Sequence, residues 1–411
     1  MTPPPAASGT FCSLQIRNYR LWASGAAVSN IGTWMQRTAQ DWIVLAELTH
    51  HNATAVGVVM GLQFGPQMVL LPFTGYAADR FNRRRMLIAT QALMGLLALG
   101  LGLLTLFGAA QLWQVDVFAL LLGCVAAFDA PARQTFVAEL VPQSMVSNAV
   151  ALNSTSFNAA RMIGPAIAGL LIAQVGSAWV FLINALSYAA VLASLFLLRV
   201  DELQPGNAAE RSAGTLLDGF RYVAGRKDIL TVLAMLFLIG TFGINFPIYI
   251  STMSVAVFHA GAGEFGLLTS TMALGSVAGA LLSARRDKPR MAVLLIAAAV
   301  FGIGLVVAAL MPTFVLFGLV LISVGWSAQT FTTTANGAVQ MWTDAPMRGR
   351  VMALFLAIAL GGTPIGAPLV GWVADQFGAR WGMGVGAASG FAALLIGLWY
   401  VSRRRHGASP S

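Results

Sequence analysis

Long apolar stretches follow one another along almost the whole chain and are separated by short polar segments. A helix needs roughly 20 apolar residues to cross the ~30 Å hydrocarbon core of a bilayer. The pattern therefore predicts an all-α integral membrane protein with twelve transmembrane helices, numbered here as spans 1 to 12. The predicted ranges are 21–47, 54–77, 86–108, 112–130, 147–173, 178–199, 229–252, 264–284, 290–311, 313–336, 350–374 and 381–401.

The basic residues collect in alternate loops between these spans. Short loops rich in Lys and Arg stay in the cytoplasm, whereas loops without them are translocated. Of the 24 basic residues, only Arg37, Arg161 and Arg380 fall outside the segments that this rule assigns to the cytoplasm. We therefore expect a multi-pass protein of the cell inner (plasma) membrane with both termini in the cytoplasm.

Composition excludes an ordinary soluble domain. The chain is 57% hydrophobic and 9% charged, whereas soluble domains carry about 25% charged residues. Its net charge of +9 is spread over the loops of one membrane face, so no nucleic-acid partner is expected. Cys12 lies in a cytoplasmic segment and Cys124 in span 4, so we predict no metal site and no cofactor.

A sequence repeat divides the chain into two halves. At a constant offset of 202, Gly164, Gly169, Gln174, Gly176 and Trp179 match Gly366, Gly371, Gln376, Gly378 and Trp381. The repeat predicts two six-helix pseudo-symmetric bundles, at 1–199 and at 229–411 with a cytoplasmic tail, joined by a cytoplasmic linker at 200–228. The end of the linker is amphipathic, and both a helix on the inner leaflet and a plain linker are compatible with it.

The loop after span 2 reads GYAADRFNRRRM and resembles the signature of the major facilitator superfamily. Five residues match that signature: Gly75, Asp79, Arg80, Arg83 and Arg84. Asn82 stands where glycine is usual, but asparagine tolerates positive φ better than most residues. Segments 32–42, 128–142 and 151–165 resemble the branch of enterobactin exporters and macrolide efflux pumps.

The resemblance implies the major facilitator fold, with substrate bound near the bilayer midplane and alternating access. We expect a secondary active transporter that exports a small amphipathic compound, such as a drug, antibiotic or siderophore, by proton antiport. An importer or proton symporter of a small organic solute is the alternative on the same fold. The four histidines lie in loops or tails, so no enzyme is expected. The expected partners are the substrate, protons and the lipid bilayer, around a monomer.

Span 1 carries a polar stripe along one helix face. Asn30, Trp34, Arg37 and Asp41 are spaced at i, i+4, i+7 and i+11. An ionised residue at mid-span costs roughly 2.5–3.5 kcal/mol on insertion scales, so it should face the protein interior and pair. A proton-coupling role for Asp41 and Arg37 is one hypothesis, and a structural salt bridge is the other.

The charged residues at the inner ends of spans 2 and 4 form a candidate cytoplasmic gate. The resemblance implies that Asp79 faces the N-terminus of span 11, where free N–H groups favour negative charge. Asp129 and Arg133 are expected to join Arg80 or Arg83 in one charge cluster. The predicted gate comprises Gly75, Asp79, Arg80, Arg83, Arg84, Asp129 and Arg133. The alternative is that the basic residues only fix the topology.

Two further groups complete the candidates. Arg161, Gly164 and Pro165 in span 5 resemble a glycine-proline motif of exporters, although such residues also permit close helix packing. Polar and aromatic residues at mid-span predict a substrate pocket, with interhelical packing as the alternative for each residue. The pocket candidates are Asn30, Trp34, Gln63, Gln67, Asn245, Trp326, Gln329 and Thr330.

Overall fold

A computed structural model describes residues 11–70, 73, 74, 80–204, 216–284, 286 and 288–406. These residues form helices, and no strand occurs among them. The chain divides into two compact units. Unit 1 combines the described residues of Met1–Gln40 and Val69–Ser212, and unit 2 combines those of Asp41–Met68 and Ala213–Ser411.

The α-helices are numbered in chain order. They are α1 (Arg17–Trp42), α2 (Ala53–Val69), α3 (Arg83–Leu106), α4 (Leu112–Glu139), α5 (Val146–Val175), α6 (Ser177–Phe196), α7 (Leu216–Gly225), α8 (Lys227–Leu238), α9 (Phe246–Thr252), α10 (Ala262–Ala284), α11 (Met291–Leu310), α12 (Phe314–Trp342), α13 (Arg348–Gly361), α14 (Thr363–Phe377) and α15 (Ala379–His406). A wider π-helical turn, Ile43–Leu48, continues α1 beyond Trp42.

Ten helical segments in the described part of the chain are long and apolar enough to cross a membrane. The predicted all-helical membrane architecture is therefore confirmed. Two predicted spans are not among the ten, because α1 carries the polar stripe and α2 is only 17 residues long. The total of twelve spans stays a prediction.

Two predicted spans are interrupted within the membrane. Span 7 consists of α8, a π-helical turn at Ile239–Gly243 and then α9, which has Pro247 in its first turn. Span 11 consists of α13 and α14, which meet at Gly362, with Pro364 at the start of α14. Proline lacks an N–H group and its ring clashes with the preceding turn, so both breaks follow from the sequence.

The two copies of the sequence repeat share one backbone turn. Gly176 ends α5 with φ +87° and Gly378 ends α14 with φ +101°, and in each case the next helix begins at the following residue. Each glycine N–H donates to the carbonyl four residues earlier, at 3.0 and 2.9 Å. Positive φ is easily adopted by glycine alone among common residues, which explains glycine at both positions.

The amphipathic end of the predicted linker forms α7, which packs within unit 2. Val223 on this helix is buried, whereas Phe220 is exposed. Beyond the helix, Arg226 donates to both carboxylate oxygens of Asp228, at 3.1 and 2.8 Å, and to the Trp342 carbonyl at 2.9 Å. These bonds fasten the end of α7 to the end of α12. A position on the inner leaflet stays a prediction.

Candidate functional site

Gly164 allows α1 and α5 to cross at very short distance in unit 1. A Cβ at Gly164 would lie 2.6 Å from the Cβ of Trp34 and 3.1 Å from the carbonyl oxygen of Ile31. Membrane helices approach this closely only where residues are small. The crossing sets Trp34 against α5, beside the turn that carries Arg161.

Two arginines lie over the indole ring of Trp34. The guanidinium carbon of Arg37 is 4.9 Å from the ring centroid, and that of Arg161 is 5.6 Å from it. Phe157 meets Trp34 edge to face, with ring centroids 5.9 Å apart. Guanidinium groups at these distances attract the indole quadrupole. We call Trp34, Arg37, Phe157 and Arg161 the Arg–Trp cluster.

The Arg–Trp cluster joins residues that the sequence analysis placed in three separate groups. Trp34 was a pocket candidate, Arg37 a coupling candidate and Arg161 part of the exporter-like motif. Phe157 was not predicted, although it lies one helical turn before Arg161 on α5. That spacing places both side chains on one helix face, so the sequence itself could have indicated that Phe157 lies beside Arg161.

A second polar group in unit 1 centres on the buried Asp129 carboxylate in α4. Its Oδ1 accepts from the Thr90 hydroxyl at 2.8 Å and from the Gln91 amide at 2.7 Å, both on α3. Its Oδ2 accepts from two nitrogens of Arg133, each at 3.0 Å. We call Asp129, Arg133, Thr90, Gln91 and Asn30 the Asp129 network.

Arg133 connects this network to α1. Its third nitrogen donates to the side-chain oxygen of Asn30 at 2.8 Å, and its guanidinium lies 5.7 Å from the Trp22 ring centroid. A buried ion pair offsets its loss of hydration only when its other hydrogen-bonding positions are also filled. Here both carboxylate oxygens and all three guanidinium nitrogens have a partner, so the network links α1, α3 and α4 as a structural tie.

Three further gate candidates, Arg80, Arg83 and Arg84, lie at or just before the start of α3. Arg83 forms an ion pair with Glu139, and Arg84 donates to the Leu195 carbonyl at 2.9 Å. Arg80 is exposed. Gly75 and Asp79 lie outside the described residues. Arg83 is thus paired with Glu139, a partner that the sequence analysis missed, and a charge cluster of Asp129 and Arg133 with Arg80 stays a prediction.

Two further acidic residues lie within membrane helices. Asp41, the coupling candidate, is buried at the end of α1. Asp116 lies near the start of α4, and its Oδ1 is buried without a hydrogen-bond partner among the residues described. Ionisable residues in membrane spans are expensive and usually functional. The sequence analysis overlooked Asp116 because it lies close to the predicted end of span 4.

Unit 2 contains a related crossing at the interrupted span 7. A Cβ at Gly366 on α14 would lie 1.7 Å from the Thr241 carbonyl oxygen. Asn245 donates from its amide to that same carbonyl at 2.8 Å. The Asn245 side-chain oxygen and the Thr241 hydroxyl are buried, and neither has a hydrogen-bond partner in the described chain. Asn245 is therefore a polar group at a helix break.

The N-terminus of α2 is capped by a residue that the sequence analysis missed. Asp375 on α14 accepts from the backbone N–H of Ala53 at 2.7 Å and of Thr54 at 2.8 Å, and the Thr54 hydroxyl also donates to it. Negative charge at a helix N-terminus is favourable. The pocket candidates Gln63, which is buried, and Gln67, which is half-buried, lie farther along α2.

The three pocket candidates on α12 lie against or near α10. A Cβ at Gly279 on α10 would lie 2.6 Å from the Trp326 carbonyl and 3.1 Å from the Thr330 hydroxyl oxygen. Gln329 donates to Thr333 on its own helix at 3.0 Å. These contacts show close helix packing at Thr330.

A family model of transmembrane secretion effectors matches residues 8–408. The chain belongs to this family of the major facilitator superfamily. Three relatives match most of the length of this chain. The staphyloferrin A transporter of Staphylococcus aureus is 27% identical, over 85% of this chain and 87% of the relative. The multidrug efflux pump Tap of Mycolicibacterium fortuitum is 26% identical, over 86% of this chain and 88% of the relative. The enterobactin exporter EntS of Shigella flexneri is 28% identical, over 89% of this chain and 88% of the relative.

Solved structures agree with the fold of the family. The nucleoside transporter NupG gives a TM-score of 0.72 at 12% identity, covering 93% of this chain and 99% of that chain. A D-xylose-proton symporter gives 0.72 at 14% identity, covering 92% and 96%. At these identities the likeness shows the fold alone.

Family membership decides several of the predictions. The expected superfamily is confirmed, and so is the prediction that the chain is a transporter and not an enzyme. The protein is a multi-pass integral membrane transporter of small molecules.

Proposed function

We propose that this protein exports a small amphipathic compound from the cytoplasm by alternating access, driven by proton antiport. The main support for export is that a family of secretion effectors matches nearly the whole chain. Two relatives of similar length support it, since one is named an exporter and one an efflux pump. The cargoes that the relatives' names give, staphyloferrin A, enterobactin and multiple drugs, favour an amphipathic organic compound for this chain.

The Arg–Trp cluster supports a transport path through unit 1. Arg161 lies halfway along α5 and keeps exposed surface there. An exposed arginine at the middle of a membrane helix is too costly to face lipid, so it should face a water-filled space. Charged and aromatic groups beside such a space are suited to bind an amphipathic compound.

The proposed topology is that of twelve spans in the inner membrane, with both termini in the cytoplasm. In it α1 and α2 serve as the first two spans in addition to the ten apolar segments. Bundles at 1–199 and 229–411 joined by a linker at 200–228 act as the two halves of a monomer. The basic loops support this orientation through the positive-inside rule.

Asp41 is the proposed proton carrier, with Arg37 one turn before it on α1. A buried carboxylate in a membrane helix is favoured to bind a proton by its low-dielectric surroundings and to lose it when a cation approaches. Movement of Arg37 toward a bound substrate would change that balance. Asp79 and Arg80 are proposed to close the cytoplasmic side, and the Asp129 network is proposed to stiffen unit 1.

Deletion and overexpression of the gene against a chemically broad toxin panel test this function. We expect resistance to rise with the dose of the wild-type gene and to stay at the deletion level with Asp41→Asn. Protein amounts in the membrane, measured by immunoblot, serve as the control. Sensitivity that rises with gene dose would instead support uptake, and full resistance with Asp41→Asn would exclude Asp41 as the carrier.

A further inference from the structure

We propose that Arg161 and Arg37, together with Trp34 and Phe157, bind the anionic group and the ring of an aromatic anion. This inference rests on the proposed transport function and narrows its substrate from any amphipathic compound to an aromatic anion. The class includes aryl carboxylates and aryl sulfonates, which share a flat ring and an oxygen-borne negative charge.

The state of Arg161 is the first argument. Its only described partner is the Trp34 ring, and it has no ion pair and no hydrogen bond with any residue that the structure describes. A guanidinium carries five N–H donors in a planar fork that matches a carboxylate. The donors of Arg161 are therefore available to an oxygen anion that arrives from outside the protein.

The surroundings of Arg161 are the second argument. The side chain keeps exposed surface at the centre of α5, where its guanidinium group also lies over the Trp34 ring. An arginine facing lipid at this depth would be strongly unfavourable, so this combination indicates a water-filled cavity. A ligand can reach Arg161 from that cavity.

The second cation sets the sign of the ligand charge. Arg37 lies 4.9 Å from the same indole centroid as Arg161, so the cluster holds two positive charges on one aromatic side chain. A ligand anion beside this ring is attracted by both guanidinium groups, whereas a ligand cation is repelled by both.

The aromatic members supply the rest of the site. Trp34 is half-buried, and Phe157 keeps 43% of its surface exposed. Their rings meet edge to face, so the accessible surface is apolar and flat in parts. Aromatic rings pack favourably on such surfaces in offset or edge-to-face arrangements. An aromatic anion can thus satisfy the arginines and the rings at once.

The experiment compares two probes that differ in charge and little else, 2-naphthoate and 2-naphthamide. Their binding to the full-length protein in lipid nanodiscs is measured by titration calorimetry, with empty nanodiscs as background. We expect the wild-type protein to bind 2-naphthoate at least about tenfold more tightly than 2-naphthamide. Arg161→Gln should remove that preference, and Arg161→Lys should retain part of it because the charge remains.

Arg403→Gln provides a matched control. Arg403 lies 4.3 Å from the ring centroid of Trp399 on α15, so the variant also removes an arginine from a tryptophan ring. It should leave both affinities unchanged. Trp34→Leu should weaken both probes, since it removes the ring surface. Melting temperatures of all variants show whether each is folded.

Equal affinity of the wild-type protein for the two probes would overturn the proposal, and this comparison requires no variant. An undiminished preference for 2-naphthoate in folded Arg161→Gln would overturn it as well. Because binding is measured without transport, the two proposals fail separately. Uptake in place of export with the predicted charge preference would leave the site intact, whereas export without that preference would refute the site alone.

Discussion

Arg133 and Arg161 lie in the same unit but have opposite surroundings. Arg133 is bound by Asp129 and Asn30 and has a partner for each nitrogen. Arg161 stacks on Trp34 and has no acidic partner among the described residues. The difference separates two uses of charge in a membrane protein. A satisfied ion pair ties helices together, whereas an arginine without an acid is suited to bind an anion from outside.

The largest expected effect comes from breaking the Asp129 network, which links α1, α3 and α4. Arg133→Gln leaves Asp129 buried with fewer donors, and breaking a buried pair by removing one partner costs about 3–5 kcal/mol. We expect a fall of this size in the free energy of unfolding, measured by denaturant titration in detergent. The double variant Asp129→Asn with Arg133→Gln should recover part of the loss. If Arg133→Gln lowered the free energy of unfolding no more than the removal of a surface ion pair does, the network would not be holding the three helices together.

The next effect concerns two glycine crossings, one in each unit. Gly366→Ala places a Cβ 1.7 Å from a backbone carbonyl, and Gly164→Ala places one 2.6 Å from the Trp34 Cβ. Overpacking of this kind costs about 1–3 kcal/mol, and we expect Gly366→Ala to lower the melting temperature more. Gly337→Ala on α12 meets no atom within 4 Å and is the control. Equal melting temperatures for all three variants would contradict the close crossings.

A smaller effect is expected at the N-terminus of α2. There the Asp375 carboxylate accepts hydrogen bonds from backbone N–H groups and has no arginine partner in these contacts. Asp375→Asn weakens a charge-assisted N-cap, which is worth about 0.5–2 kcal/mol. Amide hydrogen exchange at Ala53 and Thr54 should accelerate, as measured by mass spectrometry. Asp344→Asn, which removes an acceptor of Tyr222 elsewhere in unit 2, is the control. Unchanged exchange in Asp375→Asn would show that the cap contributes nothing.

The smallest effect on stability should come from the second arginine of the comparison. Arg161→Gln removes one cation–π contact, worth about 0.5–1 kcal/mol at an exposed site, and no ion pair. Its unfolding free energy should therefore stay close to that of the wild-type protein. The assay used for Arg133→Gln measures it. A loss as large as that of Arg133→Gln would make Arg161 a structural residue and contradict the comparison.

The architecture was predictable because its determinants are local. The length of the apolar runs is visible in the sequence and indicated membrane helices directly. The repeat was visible because Gly176 and Gly378 each fill a positive-φ position that suits few other residues. The breaks within spans 7 and 11 were missed. Pro247 and Pro364 indicated them, but the prediction rested on the length of the apolar runs and gave single prolines little weight.

The candidate site was predictable only in part. Helix periodicity shows which residues share one face of a helix, but not which other helix packs against that face. The stripe of Asn30, Trp34 and Arg37 on α1 was predicted, but its partners come from other helices. Arg133 lies 103 residues from Asn30, and Asp375 lies 322 residues from Ala53. Such pairs depend on how helices cross. A single sequence gives no direct signal for that.

The direction of transport is the most direct test of the central claim. The measurement uses everted membrane vesicles energised with a proton gradient, loaded from outside with a compound to which the gene confers resistance. The account predicts accumulation inside the vesicles, abolished by a protonophore and by Asp41→Asn. Accumulation only in right-side-out vesicles would contradict export by proton antiport.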